Sequence, residues 1–383
     1  MHKTAKDPQT YHGMKYRLFF AGFFLDTILF LFLLYSGMTF SIKHSAHSIV
    51  NQVSVGNAFY VACLSIFLYI IHFPLGYFNG FVWEHRHGLS NQTFGQWIKD
   101  DLKKFVLGLV LSTILVCAIY WFLGRMGGAW WLMAGTFWLF LSVVLAKLMP
   151  NVIVPLFYKY KNIDDELLKH SIHEMFNHCR TTLKDIYAID FSSKTKKANA
   201  FICGLGKSRR VVLSDTLLSE FDKEEIEAVV AHELGHYCHR DIVKMLAVNA
   251  VLIFSGLYII DKVLKGAVNY FGFDGMNDIA SLPLFILVFS LLGIIVTPLT
   301  NWYSCRMEKS ADEFSLKLTD KPGAFISMME KLGQMNLSEF QPNKFIEIFF
   351  YDHPPLQQRI NFARNFKKDN EHDRSKIRKK KIS

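Results

Sequence analysis

The chain lacks the signals that several common protein classes require. Its six cysteines include no C-x-x-C pair, which excludes a cysteine zinc knuckle and a dithiol redox motif. Half of its net charge of +10 comes from residues 367–383, where eight Lys and Arg residues outweigh three Asp and Glu residues. Because no recognisable nucleic-acid-binding module accompanies this charge, we expect no nucleic acid among the partners.

What the chain has in excess is apolar surface. Hydrophobic residues make up 51% of it, aromatic residues 15%, and the mean hydropathy is +0.19, more than a soluble chain needs to fill its core. A membrane span needs roughly 20 mostly apolar residues. Six stretches qualify, at residues 17–40, 58–83, 103–123, 129–149, 242–264 and 282–304. The sequence therefore predicts a multi-pass protein of the lipid bilayer.

The connections between these stretches indicate their orientation. Only GRMGG, residues 124–128, separates the third stretch from the fourth, which predicts an antiparallel pair joined by a tight turn. Lysine and arginine cluster before the first stretch, after the second, within residues 150–241 and in the tail. With six spans, all four basic segments fall on one side, so the positive-inside rule predicts that both termini face the cytoplasm.

A soluble insert, residues 155–241, separates the fourth stretch from the fifth and carries the only clear strand signals. AFICGL and RRVVLSD are two β-rich runs separated by GKS, which predicts a β-hairpin. The segment IDDELLKHSIHEMFNHC before them has helical periodicity. After them, SEFDKEEIEAVVAHELGHYCHRDIVKML predicts one long helix that continues into the fifth span, with Ser219 as its N-cap.

The motif HELGH on that helix has the spacing of a metal site. His232 and His236 are four residues apart, so both imidazoles lie on one helix face and can reach a single ion, for which zinc is suitable. A bound metal lowers the pKa of its water towards roughly 7. Glu233, next to His232, can act as the general base for that water. These three residues predict hydrolysis of a peptide bond.

A catalytic zinc ion takes a third protein ligand and keeps one position open. His239 is seven residues from His232, about 10 Å along the helix, too far for all three histidines to share an ion. Glu308 in EKSADEF, 76 residues after His232, can complete a His/His/Glu set. Asp312, four residues further on, can accept a hydrogen bond from a ligand imidazole and fix its tautomer. Alone, an HExxH pattern also recurs by chance in ordinary helices.

Several motifs together resemble the type I CAAX prenyl protease family, integral-membrane zinc endopeptidases of the gluzincin class. They are EHRHGLSNQTFGQWIKDDLKKFV after an early span, NAFICGLGKSRRVVLSDTLL in the hairpin, and HELGH, EKSAD and HPPLQQR at the site. The resemblance implies one zinc ion per chain, with His232, His236 and Glu308 as ligands. It makes Glu233 the base and Asp312 a partner of a ligand.

The same resemblance implies how substrate is held. Asn199 and Ala200 would lie on an edge strand that pairs with the backbone of an extended peptide. His353 would stabilise the oxyanion, and Arg359 would anchor a carbonyl or carboxylate of the substrate. The alternative for the segment HPPL is a loop end followed by a helix start.

The predicted fold is mainly α: a polytopic membrane bundle of about six spans enclosing a chamber, with a small cytoplasmic α+β zincin-like metalloprotease domain containing a β-hairpin. This chain departs from the eukaryotic members of the family that it resembles, which have a seventh span and a longer insert. We therefore expect a smaller or more open chamber. The predicted divisions are four spans in 1–154, the soluble insert in 155–241, two spans in 242–304, the EKSAD and HPPLQQR site segment in 305–365, and a basic tail in 366–383.

Three functions are compatible with these signals. The first is a membrane metalloendopeptidase that cuts near the C-terminus of prenylated CAAX-type peptides or similar membrane-associated peptides. The second is a quality-control protease that acts on membrane proteins without lipid. The third is a transporter or receptor with a structural metal site, but such a site would close its coordination and have no use for Glu233. Asp26, inside the first span, is either functional or hydrogen-bonded within the bundle.

Overall fold

The structure is a computed structural model that describes residues 7–50, 52–204 and 209–368. Part of the basic segment before the first span (Lys3 and Lys6), the GKS turn at 206–208 and nearly all of the predicted basic tail lie outside the described residues. Most of the described chain is helical, and it contains one four-stranded sheet. The predicted fold class, a helical membrane bundle with a small mixed α/β region, is confirmed.

Six helices of the described residues are long and apolar enough to cross a membrane. They are Pro8–Tyr35 (α1), Val53–Arg86 (α3), Phe94–Arg125 (α4), Gly127–Phe157 (α5), Asp241–Phe271 (α9) and Ile279–Thr319 (α10). In the first five, only 11–17% of the most apolar window is buried, against 44% in α10. Thus the apolar window of α10 is the most buried of the six, and those of the other helices are mostly partly or fully accessible.

Shorter helices complete the chain. They are Met38–Ile49 (α2), Glu166–His178 (α6), Asp215–Glu220 (α7), Lys223–Cys238 (α8), Pro322–Met335 (α11), Lys344–Phe350 (α12) and helical residues 356–368 (α13). The predicted tight turn after α4 is present, because α5 begins at Gly127, whose φ of +52° reverses the chain at little cost to a residue without a Cβ.

The sheet has more strands than the sequence predicted. Its strands are Tyr160–Asn162 (β1), Asp185–Ile189 (β2), Ala200–Cys203 (β3) and Arg210–Ser214 (β4), in the order β1-β2-β4-β3. The predicted hairpin is the antiparallel β3/β4 pair, and β2 pairs with β4 in parallel. β1 and β2 were missed because they are short and carry weak patterns. β3 lies at the edge of the sheet.

The predicted start of the HELGH helix was wrong. Ser219 lies inside α7, and its hydroxyl donates to the Thr216 carbonyl oxygen. The N-cap of α8 is Asp222, whose side chain accepts from the Glu225 amide while the Glu225 side chain accepts from the Asp222 amide. This reciprocal capping box satisfies two amides that the first turn leaves free, which a serine three residues earlier cannot do.

The predicted continuity of that helix into the fifth span was also wrong. α8 ends at Cys238, and Arg240, with φ of +57°, separates it from α9. A non-glycine residue in the left-handed region marks a true break, because it interrupts the helical hydrogen bonds. The sixth predicted span, in contrast, continues without interruption as α10 through the predicted boundary at 304/305.

Two separate cores stabilise the two parts of the molecule. One lies in the bundle, at the end remote from the sheet, and contains Tyr60, Trp130 and Leu257. The other packs the sheet against α6, α8, α11 and the C-terminal end of α10. The polar residues of the HELGH and EKSAD motifs lie between these two cores, where the bundle meets the soluble part of the protein.

Candidate metal centre and active site

Two helices carry the candidate site, and a glycine lets them pack closely. α8 crosses the soluble core with residues 225–232 buried, and its HELGH segment lies against α10. A Cβ on Gly235 would lie 3.1 Å from the Cα of Ala311. Our sequence reasoning did not single out Gly235, although a glycine inside a helical pattern, costing about 1 kcal/mol relative to alanine, needs a packing reason.

The close packing brings three candidate metal ligands together. One donor atom from each of His232, His236 and Glu308 lies within 4.8 Å of the others. The two Nε2 atoms are 3.2 Å apart, His232 Nε2 is 3.2 Å from Glu308 Oε2, and His236 Nε2 is 3.1 Å from Glu308 Oε1. Residues that are 76 positions apart in sequence therefore converge on one point.

The orientation of the two imidazoles is set from behind by carboxylates. His232 Nδ1 lies 2.9 Å from Asp312 Oδ1, and His236 Nδ1 lies 2.9 Å from Asp241 Oδ2. His236 Nδ1 is hydrogen-bonded to Asp241, and His232 Nδ1 lies between Asp312 and Arg359 Nη2, at 3.4 Å from the latter, so in both rings Nε2 faces Glu308. Burial opposes a charge on His232, but the nearby carboxylates of Asp312 and Glu308 prevail and raise its pKa to about 9. The cluster is built to hold a cation.

The donor set fits zinc. Two imidazole nitrogens and one carboxylate are a recurrent ligand set of catalytic zinc ions. Glu308 Oε2 is buried and has no hydrogen-bond partner among the described residues, because its 3.2 Å approach to His232 Nε2 lacks hydrogen-bond geometry. A buried carboxylate oxygen left without a hydrogen bond is costly unless a cation meets it.

Asp312 links His232 to Arg359. Arg359 donates from Nε to Asp312 Oδ2 at 2.8 Å and from Nη2 to Asp312 Oδ1 at 2.6 Å. Arg359 Nη2 also lies 3.7 Å from Glu308 Oε2, and its side chain is only 10% exposed. Two sides of the guanidinium are thus engaged inside the protein. The expectation that Arg359 also contacts substrate stays a prediction.

Asp241 is a site residue that sequence reasoning missed. It is the first residue of α9, and besides His236 it accepts from Lys244 Nζ at 2.8 Å. It reaches back to His236 because the break at Arg240 turns the chain between α8 and α9. The available signal was an acidic residue at the start of an apolar span, where an uncompensated charge is expensive.

Glu233 lies beside the metal ligands and faces a cavity. Burial raises the pKa of Glu233, and the charges of His232 and His236 oppose that effect. The cavity has a volume of about 690 Å³ and is also lined by Ile202 of β3, His236 and Glu308. The carboxylate of Glu233 therefore borders a space large enough for part of a peptide.

His353 lies in the segment between α12 and α13 and approaches Glu308 from there. Its Nε2 lies 3.2 Å from Glu308 Oε1, and its Nδ1 lies 2.7 Å from Asp352 Oδ1. The side chain is 52% exposed, so it can move towards a bound molecule. The segment HPPL ends a loop before α13 begins at residue 356, as its alternative interpretation predicts, and the oxyanion role of His353 stays a prediction.

The edge strand β3 borders the same cavity and has backbone groups that point away from β4. The Ser214 amide donates to the Asn199 carbonyl oxygen, and Ala200 lies opposite Leu213 in the antiparallel register. Because antiparallel strands alternate the direction of their backbone groups, those of Ala200 and Ile202 point away from β4. The Ala200 amide accordingly meets the Asn199 side-chain oxygen, at 2.9 Å, instead of β4.

Two further residues that the sequence analysis considered, His239 and Asp26, lie apart from the metal ligands. His239 packs edge-on against Phe314, and its Nδ1 is buried without a hydrogen-bond partner among the described residues. Asp26 Oδ1 in α1 lies 2.7 Å from His72 Nε2 in α3, which matches the interpretation of a hydrogen bond within the bundle.

Comparisons with known proteins cover nearly the whole chain. Residues 162–367 match Peptidase family M48, and residues 2–159 match the family described as CAAX prenyl protease N-terminal, five membrane helices. Over the latter range the structure has four membrane-capable helices and the shorter α2.

Individual proteins agree with these families. The chain is 31% identical to the "Uncharacterized metalloprotease YhfN" of Bacillus subtilis over 95% of this chain and 86% of that protein. It is 31% identical to the "CAAX prenyl protease 1 homolog" of Arabidopsis thaliana over 76% of this chain and 69% of that one. The fold matches the crystal structure of S. mikatae Ste24p with a TM-score of 0.83 and 24% identity, covering 93% and 88% of the two chains.

Proposed function

The chain belongs to Peptidase family M48 and is an integral-membrane zinc metallopeptidase, and we propose that it cuts near the C-terminus of prenylated CAAX-type or similar membrane-associated peptides. The observation that carries this proposal is that one cavity of about 690 Å³ joins Glu233, His236 and Glu308 to the edge strand and to residues of α5 and α9 in the bundle. A peptide and an apolar group attached to it can therefore reach the site together.

In the proposed reaction, the peptide adds to the sheet as a strand beside β3. The outward-facing amide and carbonyl of Ala200 and Ile202 would pair with the peptide backbone. Asn199 would release its side-chain oxygen from the Ala200 amide to bind the peptide. This docking holds the peptide extended, with its scissile carbonyl over the three ligands, and requires no particular side chain.

We assign the metal to His232, His236 and Glu308, one zinc ion per chain. Zinc bound there would supply Lewis acidity, polarising the scissile carbonyl and making water at the site more acidic. Glu233 accepts a proton from the attacking water while the oxygen of that water forms a bond to the carbonyl carbon. Glu233 then passes that proton to the leaving nitrogen as the C–N bond breaks, so the carboxylate is regenerated.

The remaining residues stabilise the charge that develops on the substrate and position the metal ligands. His353 would donate a hydrogen bond to the carbonyl oxygen as it becomes negative, a contribution of roughly 3 kcal/mol for such a donor. Asp312 and Asp241 hold the tautomers of the two histidines. Arg359 holds Asp312 in turn. Asp312 therefore acts through His232 and does not touch the substrate.

The space inside the bundle supports a lipid-bearing substrate. A cavity of about 390 Å³ between α5, α9 and α10 shares Ser142, Leu246 and Asn249 with the cavity at the site. Its walls are mostly apolar and include Trp138 and Phe289. A farnesyl chain attached next to the scissile bond would have an apolar path from the metal centre into the bundle.

The orientation in the membrane is also a proposal. The basic segments that flank the spans favour a cytoplasmic location of both termini and of the candidate site. Reporter fusions that are active only in the cytoplasm, placed at each terminus, test this arrangement. An active reporter at one terminus and an inactive one at the other would contradict a six-span topology.

The decisive experiment compares two peptides that differ only in the lipid. Purified protein loaded with zinc is incubated with a farnesylated C-terminal peptide and with its non-prenylated twin, and mass spectrometry locates the cut. We expect cleavage of the farnesylated peptide to have the higher kcat/KM. Equal cleavage of both would favour the alternative, a membrane-protein quality-control protease that uses the same chemistry.

A matched variant separates hydrolysis by this site from contamination. Glu233→Gln retains the size of the side chain and should retain zinc, but it cannot accept the proton. We expect it to lose nearly all hydrolysis of both peptides. If neither peptide is cut by the wild type, or if Glu233→Gln cuts as fast, the proposed function is wrong.

A further inference from the structure

A second cavity adjoins the metal centre on the side of α1. It has a volume of about 510 Å³, and its walls come from α1, α11, the segment before α12, and the segment from α12 to α13. We call it the α1-side cavity. His353 and Arg359 line it, and both also approach Glu308, so it begins next to the candidate ligands. A volume of this size is typical of sites that bury small ligands.

Glu339 forms part of this cavity and lacks a counterion. It is 8% exposed, and among the described residues it has no hydrogen-bond or ion-pair partner. Burial raises the pKa of Glu339, and the charge of Asp7 adds to that effect. Carboxylates are rarely buried to this degree without a partner.

The cationic groups around the cavity do not serve Glu339, because each already has a partner. Lys15 Nζ binds Glu84 Oε1 at 2.5 Å, and Arg359 binds Asp312. His353 binds Asp352 through Nδ1, and His12 Nε2 lies 2.9 Å from the Leu337 carbonyl oxygen. Lys15 and Lys197 share Glu84, but among the described residues none of the neighbouring cations comes within ion-pair distance of Glu339, whose carboxylate therefore has no direct partner.

The edge strand leads to this cavity. The Ala198 amide, just before β3, donates to Asn336 Oδ1 at 3.1 Å, and Asn336 is itself part of the cavity wall. Glu339 follows Asn336 by three residues. A peptide lying along β3 over the metal centre and continuing past Ala198 would enter the cavity within a few residues, since an extended chain advances about 3.3 Å per residue.

We propose that Glu339 binds a cationic side chain, a lysine ammonium or an arginine guanidinium, of the peptide on one side of the scissile bond. The inference rests on the proposed function, because it assumes that the peptide docks along β3. It adds a specificity-determining residue to that reaction. A charged partner would give the buried carboxylate the charge-assisted hydrogen bonds that it lacks.

The test uses the purified full-length, zinc-loaded protein and a peptide series that differs at one position at a time. Lysine, norleucine and glutamate are placed in turn at each of the three positions on either side of the scissile bond. All peptides are acetylated, so that a positive charge comes only from the side chain. We expect one position, on one side only, at which lysine raises kcat/KM at least about tenfold over norleucine and glutamate lowers it.

Two variants assign that preference to Glu339. In Glu339→Gln, the ratio of kcat/KM for the lysine and norleucine peptides should fall to about one, and in Glu339→Lys, the glutamate peptide should become the better substrate. The ratio does not depend on the amount of active enzyme, so a partial folding defect does not affect it. Glu330→Gln, which removes an exposed carboxylate from α11, is the matched control and should keep the wild-type ratio.

The outcomes separate this inference from the function on which it rests. Cleavage without a lysine preference at any position, or a preference that persists in Glu339→Gln, would overturn the role of Glu339 while leaving the peptidase intact. If no peptide is cleaved, fluorescence anisotropy with labelled peptides and Glu233→Gln measures binding alone. Lysine-selective binding that Glu339→Gln abolishes would support the site even then, and non-selective binding would reject it.

Discussion

Replacing Gly235 with alanine tests how closely α8 and α10 must pack for the site to form. The added Cβ would lie 3.1 Å from the Cα of Ala311 and 3.2 Å from the Cβ of Phe314. Carbon atoms at rest are about 3.5–4.0 Å apart, and the nearest atom here belongs to the backbone. The backbone of α10 must therefore give way by a few tenths of an ångström, because no side-chain rotation removes the clash.

The energetic consequence has two opposing parts. Overpacking of a well-filled core costs about 1–3 kcal/mol. Replacing glycine by alanine in a helix offsets about 1 kcal/mol of that cost. We expect the metal-free Gly235→Ala protein to be less stable than the wild type by a net amount of about 0–2 kcal/mol, which is small enough for it to fold.

The catalytic consequence is larger, because Glu308 precedes Ala311 by three residues on α10. Its two oxygens now lie 3.1 Å and 3.2 Å from the Nε2 atoms of His236 and His232, and separation of the helices would widen both distances. Because a misplacement of about 1 Å can cost about 100-fold, we expect this smaller displacement to lower kcat/KM by up to about 10-fold. Zinc affinity should fall with it, as competition with a fluorescent chelator would measure.

Gly266→Ala provides the control. Gly266 is also inside a long helix, α9, but a Cβ there meets no atom within 4 Å. This variant should be as stable as the wild type or slightly more so, with unchanged kcat/KM. If Gly235→Ala matched it in thermal stability, zinc affinity and activity, the close contact between α8 and α10 would be refuted as the basis of the site.

Four further results are expected. Metal analysis of Glu233→Gln should find about one zinc ion per chain, and loss of the metal there would show that Glu233 is a ligand and not the base. Glu308→Ala should lower zinc occupancy, whereas Asp312→Ala should weaken zinc binding by about 10–100-fold; full occupancy in Glu308→Ala would mean that another residue is the ligand. Ala200→Pro, which removes the outward-facing amide of β3, should raise KM while zinc stays bound, and wild-type cleavage by that variant would reject docking along the edge strand. The pKa of His232 is raised to about 9 in the metal-free protein, so a proton must leave when zinc binds below that pH. Zinc affinity should therefore rise by about tenfold per pH unit from pH 7 to 9. Competition with a chelator, corrected for the chelator's own protonation, measures this dependence.

Some features of this protein follow from local pattern alone. The six apolar runs and the tight turn before Gly127 are read from short segments, because the length of a span and the chemistry of a turn are local properties. The pairing of His232 with His236 is local as well, since the helical period places residues four apart on one face. The strand pattern around Ala200 likewise predicted the β3/β4 pair.

The local errors have local causes. Ser219 and Asp222 are both suitable cap residues, and the helix begins where Glu225 can complete the reciprocal capping box. The break at Arg240 carries neither glycine nor proline, so no residue type announces it. Such a break is maintained because α9 must leave the soluble core in a new direction to cross the bundle, and that direction is a property of packing.

The tertiary structure decided which distant groups meet. Asp241 supports His236 only because the chain turns at Arg240, and Gly235 matters only because the backbone of Ala311 is packed against it. Likewise, the carboxylate of Glu339 lacks a partner only because the neighbouring cations bind other residues in the folded protein. The sequence by itself determined the chemical groups and their spacing within a helix, whereas contacts between residues far apart depend on how helices pack, which no local pattern encodes.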